Sequence, residues 1–364
     1  MCNFFSYVNN NGQLITGRTM DAMNAACVDR LTIRTMPAGI EHTSNTSNPL
    51  TWTSKYNSVA EYSKTFCSDG MNEKGLVVSL LYFAAANHGL PNGRKTIPVS
   101  AVTQYLLDNF ANVDEAVEFF KKDEVCIMSS LKTTMIEDMP FGCHWAMVDK
   151  DGRNAVVEFI DGKPFIWRQD GKRMAMTNDP SYDRHLGLLN YLDNKGLTLT
   201  VSGTGDAEAR FLRMHGWMNE LHHEPYEVSM SELPEENSTW QLRVMAKSIT
   251  RAMTTPYHVD FGGRHQNSAS LWTVNCDPQN LWMCIEHLKS FSLMTLDFNK
   301  LDFSKGIQEI RCYEGKMICG NIEKEFGPLK EPFMFSQATD AKWNNYDPAD
   351  KAEMDRKRVE RFGA

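Results

Sequence analysis

A cysteine directly follows Met1 in this chain. Because a small second residue permits removal of the methionine, Cys2 would then carry a free α-amine beside its thiol. An α-amine titrates near about 7.7–8.0, so it can accept the thiol proton near neutral pH, whereas a backbone amide cannot. Cys2 can therefore supply both a nucleophile and a general base. The alternative interpretation is an ordinary terminus whose small residue serves processing alone.

Two charged residues, Arg18 and Asp21, follow at a spacing that suits this chemistry. A reactive thiolate needs a nearby positive charge, which Arg18 would supply, and Asp21 would hold the α-amine by a hydrogen bond. A strand from Asn3, a turn at 10–12 and a return strand would bring both residues back beside Cys2. An ordinary surface ion pair between Arg18 and Asp21 is the alternative.

Residue patterns predict the elements that must position these groups. Two-residue alternation with β-branched and aromatic residues predicts strands at Asn3–Val8, Leu14–Arg18, Leu31–Thr35, Gly75–Ala84, His144–Asp149, Ala155–Ile160, Pro164–Trp167, Leu271–Cys276, Leu281–Ile285 and Phe291–Leu296. Helices are predicted at Val99–Phe110, after Asn112, and at Asp183–Lys195, Asp206–Asn219 and Ser238–Met253. Separate runs of strands and of helices favour an α+β fold with largely antiparallel sheets.

Composition excludes several classes of protein. The 364 residues include 38 Lys plus Arg against 46 Asp plus Glu, a net charge of -8 that argues against a nucleic-acid partner. There is no apolar run long enough for a membrane span and no signal-peptide pattern at the start, so a cytoplasmic protein without a membrane partner is expected. The nine cysteines and ten histidines lack the spacing of a disulfide framework or a metal site.

We expect one domain over residues 2–336. The remaining segment, 337–364, is polar and charged, which is typical of an exposed tail or a peripheral helix.

Five short motifs occur in an order that is similar to one known family. They are Met1–Phe4, Gly17–Asp21, Asp69–Leu76, Met176–Pro180 and Ala209–Arg213. Together they resemble the choloylglycine hydrolases, which include penicillin V acylases and bile salt hydrolases, over about residues 2–305. The resemblance implies the four-layer αββα sandwich of the N-terminal nucleophile hydrolases, which agrees with the α+β order of elements.

The resemblance also implies roles for individual residues. Cys2 would be the nucleophile, Arg18 and Asp21 would tune its thiol and α-amine, and Arg210 would support the site electrostatically. Asn178 would supply a side-chain N–H to the oxyanion hole, a contact worth about 2.7–4 kcal/mol to the chemical step.

Two positions bear on the oxyanion hole and on specificity. Asn178 would also suit a turn before a proline, and the two roles are compatible. Tyr82 stands where similar bile salt hydrolases usually have Asn and penicillin acylases Tyr or Trp, so its backbone N–H would be the second oxyanion donor. Ala22 stands where an aromatic residue is usual, which weakens the case for penicillin V in particular.

Four side chains are candidates for lining an acyl pocket: Met20, Met23, Tyr82 and Phe83. Core packing is the alternative role of Met and aromatic residues at such positions. The sequence thus predicts an amidase that needs no cofactor or metal and acts on a small-molecule amide. Penicillin V, conjugated bile acids and N-acyl homoserine lactones all fit.

The resemblance further implies a homotetramer. A non-catalytic member that keeps the fold without a productive site is the alternative to an enzyme, and it rests on Ala22 and Tyr82.

Overall fold

A computed structural model describes residues 2–23, 31–44, 46–131, 139–140, 142–169, 173–195, 205–220, 237–256, 268–287, 292–314 and 317–335. The expected polar tail, 337–364, and the expected domain boundary at 336 lie outside these residues. None of the helices in the described part of the chain has the length and apolar character that crossing a membrane requires.

The described strands and helices have the following bounds. The strands are β1 Asn3–Val8, β2 Leu14–Met23, β3 Leu31–Met36, β4 Glu41–Thr43, β5 Thr51–Thr53, β6 Ser58–Ser63, β7 Phe66–Asn72, β8 Val77–Tyr82, β9 Lys95–Pro98, β10 Val125–Met128, β11 Ser130–Leu131, β12 Met139–Pro140, β13 Cys143–Val148, β14 Asn154–Ile160, β15 Lys163–Trp167, β16 Arg173–Met176, β17 Ser268–Asp277, β18 Trp282–His287, β19 Ser292–Asp297, β20 Gln308–Arg311, β21 Gly320–Asn321 and β22 Gly327–Pro328. The helices are α1 Val99–Asn109, α2 Val113–Lys122, α3 Tyr182–Asn194, α4 Ala207–Glu220 and α5 Asn237–Ala252.

Most strands belong to two large sheets. The seven-stranded sheet has the order β16-β1-β2-β17-β18-β19-β21, and the nine-stranded sheet has the order β15-β14-β13-β8-β7-β6-β3-β20-β22. The pairing within both sheets is antiparallel except between β19 and β21. The prediction of largely antiparallel sheets is therefore confirmed.

Helices cover the outer face of each sheet. α1 packs on β7 and α2 on β14 and β15, whereas α5 packs on β2 and β17, and α4 on β1 and β16 with α3 beside it. One hydrophobic core fills the space between the sheets and below α4 and α5, and a second lies between the nine-stranded sheet and α1 and α2. This arrangement confirms the predicted four-layer αββα sandwich.

Strand β8 shows how the sequence divides its side chains between the two cores. Val77 and Leu81 join the core between the sheets, whereas Val78 and Leu80 join the core below α1 and α2. Successive side chains of a strand point to opposite faces, so this strand is apolar on both. Sheets buried on both faces are expected in such a four-layer fold.

The β1–β2 hairpin brings residues 17–21 back to the start of β1. Phe4 lies opposite Arg18, and Asn3 lies opposite Thr19. Gly17 permits a close approach of α5, because a Cβ at that position would overlap the Phe5 ring and the Thr250 hydroxyl. The hairpin is therefore positioned against the helix layer by a residue without a side chain.

Gly17→Ala is expected to destabilise the protein by about 1–3 kcal/mol or more, since Phe5 and α5 would have to move apart. Chemical denaturation with a fluorescence readout would measure the free energy of unfolding. Gly187→Ala is the matched control, because Gly187 lies within α3 with open space around its Cα. That control should be neutral or stabilising by up to about 1 kcal/mol. Equal stabilities of the two variants would contradict the packing argument.

Candidate active site

Cys2 lies at the entry to β1 and is only 3% exposed. Its Sγ donates to the Asp21 carbonyl oxygen at 3.6 Å and lies 3.8 Å from the Met20 Sδ. Its main-chain nitrogen donates to the Asn178 Oδ1 at 2.5 Å. The thiol and the nitrogen that would become the α-amine therefore have separate, defined partners.

Arg210, in the first turns of α4, binds the main chain of the same residue. Its Nη1 donates to the Cys2 carbonyl oxygen and to the Asn3 Oδ1, both at 2.7 Å, and its Nη2 donates to the Asn178 Oδ1 at 3.1 Å. Burial lowers the pKa of Arg210, while the negative charges of Asp21 and Cys2 oppose that shift. Arg210 thus fixes both the start of β1 and the amide that holds the Cys2 nitrogen.

Asn178, which follows β16, bridges the two sheets. Its Nδ2 donates to the Tyr82 carbonyl oxygen at 2.7 Å, at the end of β8. The next residue, Phe83, donates its backbone N–H to the Gly142 carbonyl oxygen. Because backbone groups of successive strand residues point to opposite edges, those of Tyr82 point toward Asn178.

Arg18 reaches from β2 across to the nine-stranded sheet. Its Nε forms an ion pair with Asp69 on β7, and its Nη2 donates to the Leu80 carbonyl oxygen at 2.8 Å. Burial would lower the pKa of Arg18, but the charges of Asp69, Cys2 and other acidic groups raise it above the usual value. Arg18 is therefore a permanent buried cation whose charge acts on Cys2.

The Asp21 carboxylate lies near the end of β2. Its Oδ1 accepts from the Ser270 hydroxyl at 2.6 Å, and its Oδ2 accepts from the Thr255 hydroxyl at 3.4 Å. The described contact between Asp21 and Cys2 is the thiol donating to the Asp21 carbonyl oxygen. In the described structure the Cys2 nitrogen donates to the Asn178 Oδ1, and a hydrogen bond between Asp21 and the α-amine stays a prediction.

A cavity of about 570 Å³ has Asp179, the residue after Asn178, in its lining, whereas Cys2 and Asn178 themselves are not among its described lining residues. Its described lining is apolar at Phe83, Ala85, Ile160, Pro180 and Ala207 and polar or charged at Asp179, Ser181, Arg184, Asp206 and Glu208. Phe83, one of the four predicted pocket residues, also stacks on His144 with ring centroids 5.0 Å apart. A small ligand with an apolar and a charged part would match this lining.

The other predicted pocket residues are placed differently. Met20 touches the Cys2 sulfur, and the alternation of β8 puts the Tyr82 side chain on the sheet face opposite Leu81. The main chain of Met23 pairs with Ser268, but its side chain lies outside the described structure.

Two residues that position this region were not predicted from the sequence as parts of the site. Asn3 ties Arg210 to the hairpin through its side chain, and Asp69 pairs with Arg18. Asp69 belongs to a motif that the resemblance had singled out, but its partner was not predicted. Within the described residues, no group of three or more His, Cys, Asp or Glu side chains could hold a metal ion.

A family model described as linear amide C–N hydrolases, choloylglycine hydrolase family, matches residues 2–215. The penicillin V acylase of Pectobacterium atrosepticum is 27% identical over 301 residues, which cover 79% of each chain. The bile salt hydrolase/transferase of Clostridium perfringens is 29% identical over 190 residues, covering 44% of this chain and 53% of that one. The solved penicillin V acylase from Agrobacterium tumefaciens has 27% identity and a TM-score of 0.77, covering 92% of this chain and 100% of that one.

Proposed function

Because the chain belongs to the choloylglycine hydrolase family of linear amide C–N hydrolases, we propose that Cys2 is the nucleophile with which it hydrolyses a small N-acyl compound. Its fold is the αββα sandwich of the N-terminal nucleophile hydrolases. The observation that carries the proposal is the buried network in which Asn178 and Arg210 hold the main chain of Cys2 on both sides. Such preorganisation is what a reacting group needs.

Removal of Met1 turns the Cys2 nitrogen into the general base. The α-amine takes the thiol proton, directly or through a water molecule, while the Asn178 Oδ1 orients the nitrogen. Arg18 stabilises the thiolate by its charge. The hydrogen bond at 2.5 Å between Asn178 and the Cys2 nitrogen supports this assignment.

The thiolate then attacks the amide carbonyl carbon and forms a C–S bond, and the carbonyl oxygen becomes an oxyanion. The Asn178 Nδ2, which already donates one hydrogen to Tyr82, and the Tyr82 backbone N–H stabilise that charge. The C–N bond breaks as the α-ammonium returns its proton to the leaving amine. Water, deprotonated by the same amine, then attacks the thioester and releases the acid and the thiol.

The cavity lined by Phe83 and Asp179 supports a substrate with an apolar and a polar part. The names of the relatives, penicillin V acylase and bile salt hydrolase/transferase, make penicillin V and conjugated bile acids the first compounds to test. N-acyl homoserine lactones share the same pattern of an acyl chain on a small polar amine. A hydrolysis screen across the three classes, with detection of the released amine, would rank them. Absence of amine release from every class would contradict the proposed function.

Purified active protein is expected to begin at Cys2, since a peptide nitrogen cannot act as the base. Intact-mass spectrometry would show a species that lacks Met1. A preparation that retains Met1 should be inactive in the amide screen, and it serves as the control. Full activity of a preparation that retains Met1 would exclude the α-amine mechanism.

The homotetramer implied by the resemblance stays a prediction. Light scattering coupled to size-exclusion chromatography would test it, and a monomeric active enzyme would contradict it.

A further inference from the structure

Two buried carboxyl groups of the nine-stranded sheet lie near Arg18, which belongs to the seven-stranded sheet. Glu61 on β6 and Asp69 on β7 are direct partners in the antiparallel register. Their exposed fractions are 0% and 2%. Val59, two residues before Glu61 on the same strand, belongs to the core between the sheets, so Glu61 points toward the seven-stranded sheet. The chemistry described above uses neither carboxyl.

Asp69 holds Arg18 in place together with the main chain of β8. It pairs with the Arg18 Nε, and the Leu80 carbonyl oxygen accepts from Nη2. The Ser68 hydroxyl donates to the other Asp69 oxygen at 2.8 Å. Neither the Arg18 Nη1 nor Nε has a hydrogen-bond partner among the described residues, and Nε is held by the ion pair with Asp69 alone. The nine-stranded sheet therefore binds two of the three guanidinium nitrogens and leaves the third.

Glu61 is not hydrogen-bonded through its carboxyl in the described structure, where neither oxygen has a partner. Burial raises the pKa of Glu61 well above its usual value, and the charge of Asp69 raises it further against the opposing effects of the Glu61 backbone N–H and of Arg18. Burial also raises the pKa of Asp69, but Arg18 and the hydroxyls of Ser68 and Ser79 counteract that shift. Two carboxyls that share one cation do not ionise together easily. Asp69, which pairs with Arg18, is therefore the carboxyl that ionises more readily, and Glu61 is the one that ionises less readily.

Several ionisable groups act on Glu61 or respond to its charge. They are Arg18 on β2, Cys67 and Asp69 on β7, Cys276 on β17 and Cys312 after β20. Burial raises the pKa of each of these three cysteine thiols, so they stay neutral. Arg18 and Asp69 are the charged groups that matter for Glu61 around neutral pH.

Building on the proposed role of Cys2, we propose that Asp69 and Glu61 are positioning residues that set how strongly Arg18 supports the Cys2 thiolate. Asp69 anchors the guanidinium. While Glu61 is protonated, it does not offset the positive charge of Arg18, so that charge stabilises the Cys2 thiolate more strongly. When Glu61 ionises, a second negative charge opposes Arg18 and the thiolate loses support.

The test measures the thiolate of Cys2 without any substrate. Iodoacetamide alkylation of the peptide that contains Cys2, followed by mass spectrometry from about pH 5 to pH 10, reports the fraction of thiolate. Glu61→Gln mimics the protonated carboxyl. Its rate should match the wild type at the acidic end and exceed it by about threefold or more on the alkaline part of the rise. Asp108→Asn, which changes a buried carboxyl on α1, is the matched control and should leave the curve unchanged.

A second measurement compares the widths of the curves. Because ionisation of Glu61 opposes that of the thiol, the wild-type alkylation curve should be broader than the Glu61→Gln curve, in which the α-amine of Cys2 is still coupled to the thiol but the carboxylate is absent. Broadening that Glu61→Gln removes would support the inference. A wild-type curve that is no broader than that of Glu61→Gln would overturn it.

The failure of this inference can be distinguished from the failure of the proposed function. If Glu61→Gln leaves the alkylation curve unchanged while hydrolysis still requires Cys2, only the proposed positioning role is contradicted. Hydrolysis that does not need Cys2 would remove the proposed function, while the alkylation curves would still report on the charges around its sulfur.

Discussion

Cys2→Ala is expected to lower hydrolysis of every substrate found in the screen by at least about 10³-fold. Alanine also permits removal of Met1, so the variant keeps the α-amine and loses only the sulfur that attacks the carbonyl. The residual rate would come from substrate binding and the oxyanion donors. The measurement is the turnover number from amine release, at substrate concentrations that saturate the wild type.

Cys126→Ala is the matched control for this loss. Cys126 is also buried but lies on β10, in a small cluster with Met128. Its removal should leave turnover within about twofold of the wild type and cost about 1 kcal/mol of stability at most from the lost packing. If Cys2→Ala retained more than about a tenth of the wild-type turnover, another residue would have to be the nucleophile.

Changes at Asn178 are expected to have the next largest effect. Asn178→Ala removes a proposed oxyanion donor, which is worth about 10²–10³ in kcat, and also the acceptor that holds the Cys2 nitrogen. Asn178→Asp separates these roles, because aspartate keeps an acceptor oxygen and loses the Nδ2 donor. Both variants should lower kcat far more than they change KM, since the donor acts mainly in the transition state.

Thermal melts of both variants must accompany these rates, because Asn178 also accepts from Arg210 and donates to Tyr82. A folded Asn178→Asp with nearly wild-type kcat would exclude the side-chain N–H from the oxyanion hole. Rescue of kcat by aspartate relative to alanine would instead indicate that orientation of the Cys2 nitrogen is the main role of Asn178.

The sequence predicted most of the long strands and missed β6, β7, β16 and several short strands. Strand β1 was predicted with its observed bounds, because apolar and aromatic residues dominate it. Strands β6 and β7 were missed, since Glu61 and Asp69 interrupt their apolar pattern although every residue of both strands is buried. Strand β16 was also missed, because its Arg-Met-Ala-Met sequence lacks β-branched residues and only pairing with β1 makes it extended.

The part of the candidate site formed by residues close to one another in the sequence could be predicted. The hairpin that returns Arg18 and Asp21 to Cys2 follows from turn spacing, and the roles of Asn178 and Arg210 came from resemblance. The contacts themselves join residues that lie 176 and 208 positions from Cys2 in the chain. No periodicity encodes such contacts, which arise only when α4 and the end of β16 pack against β1. For the same reason the ion pair between Arg18 and Asp69 on β7 could not be predicted from the sequence.

The most direct measurement is to locate the acyl group during turnover. A slow N-acyl substrate would be mixed with the enzyme, quenched in acid to keep the α-amine protonated and prevent acyl transfer from sulfur to nitrogen, and analysed by peptide mass spectrometry. We predict a hydroxylamine-labile acyl group on the sulfur of a peptide that begins at Cys2. An acyl group on another residue, or an active enzyme whose N-terminal peptide still begins at Met1, would contradict the account.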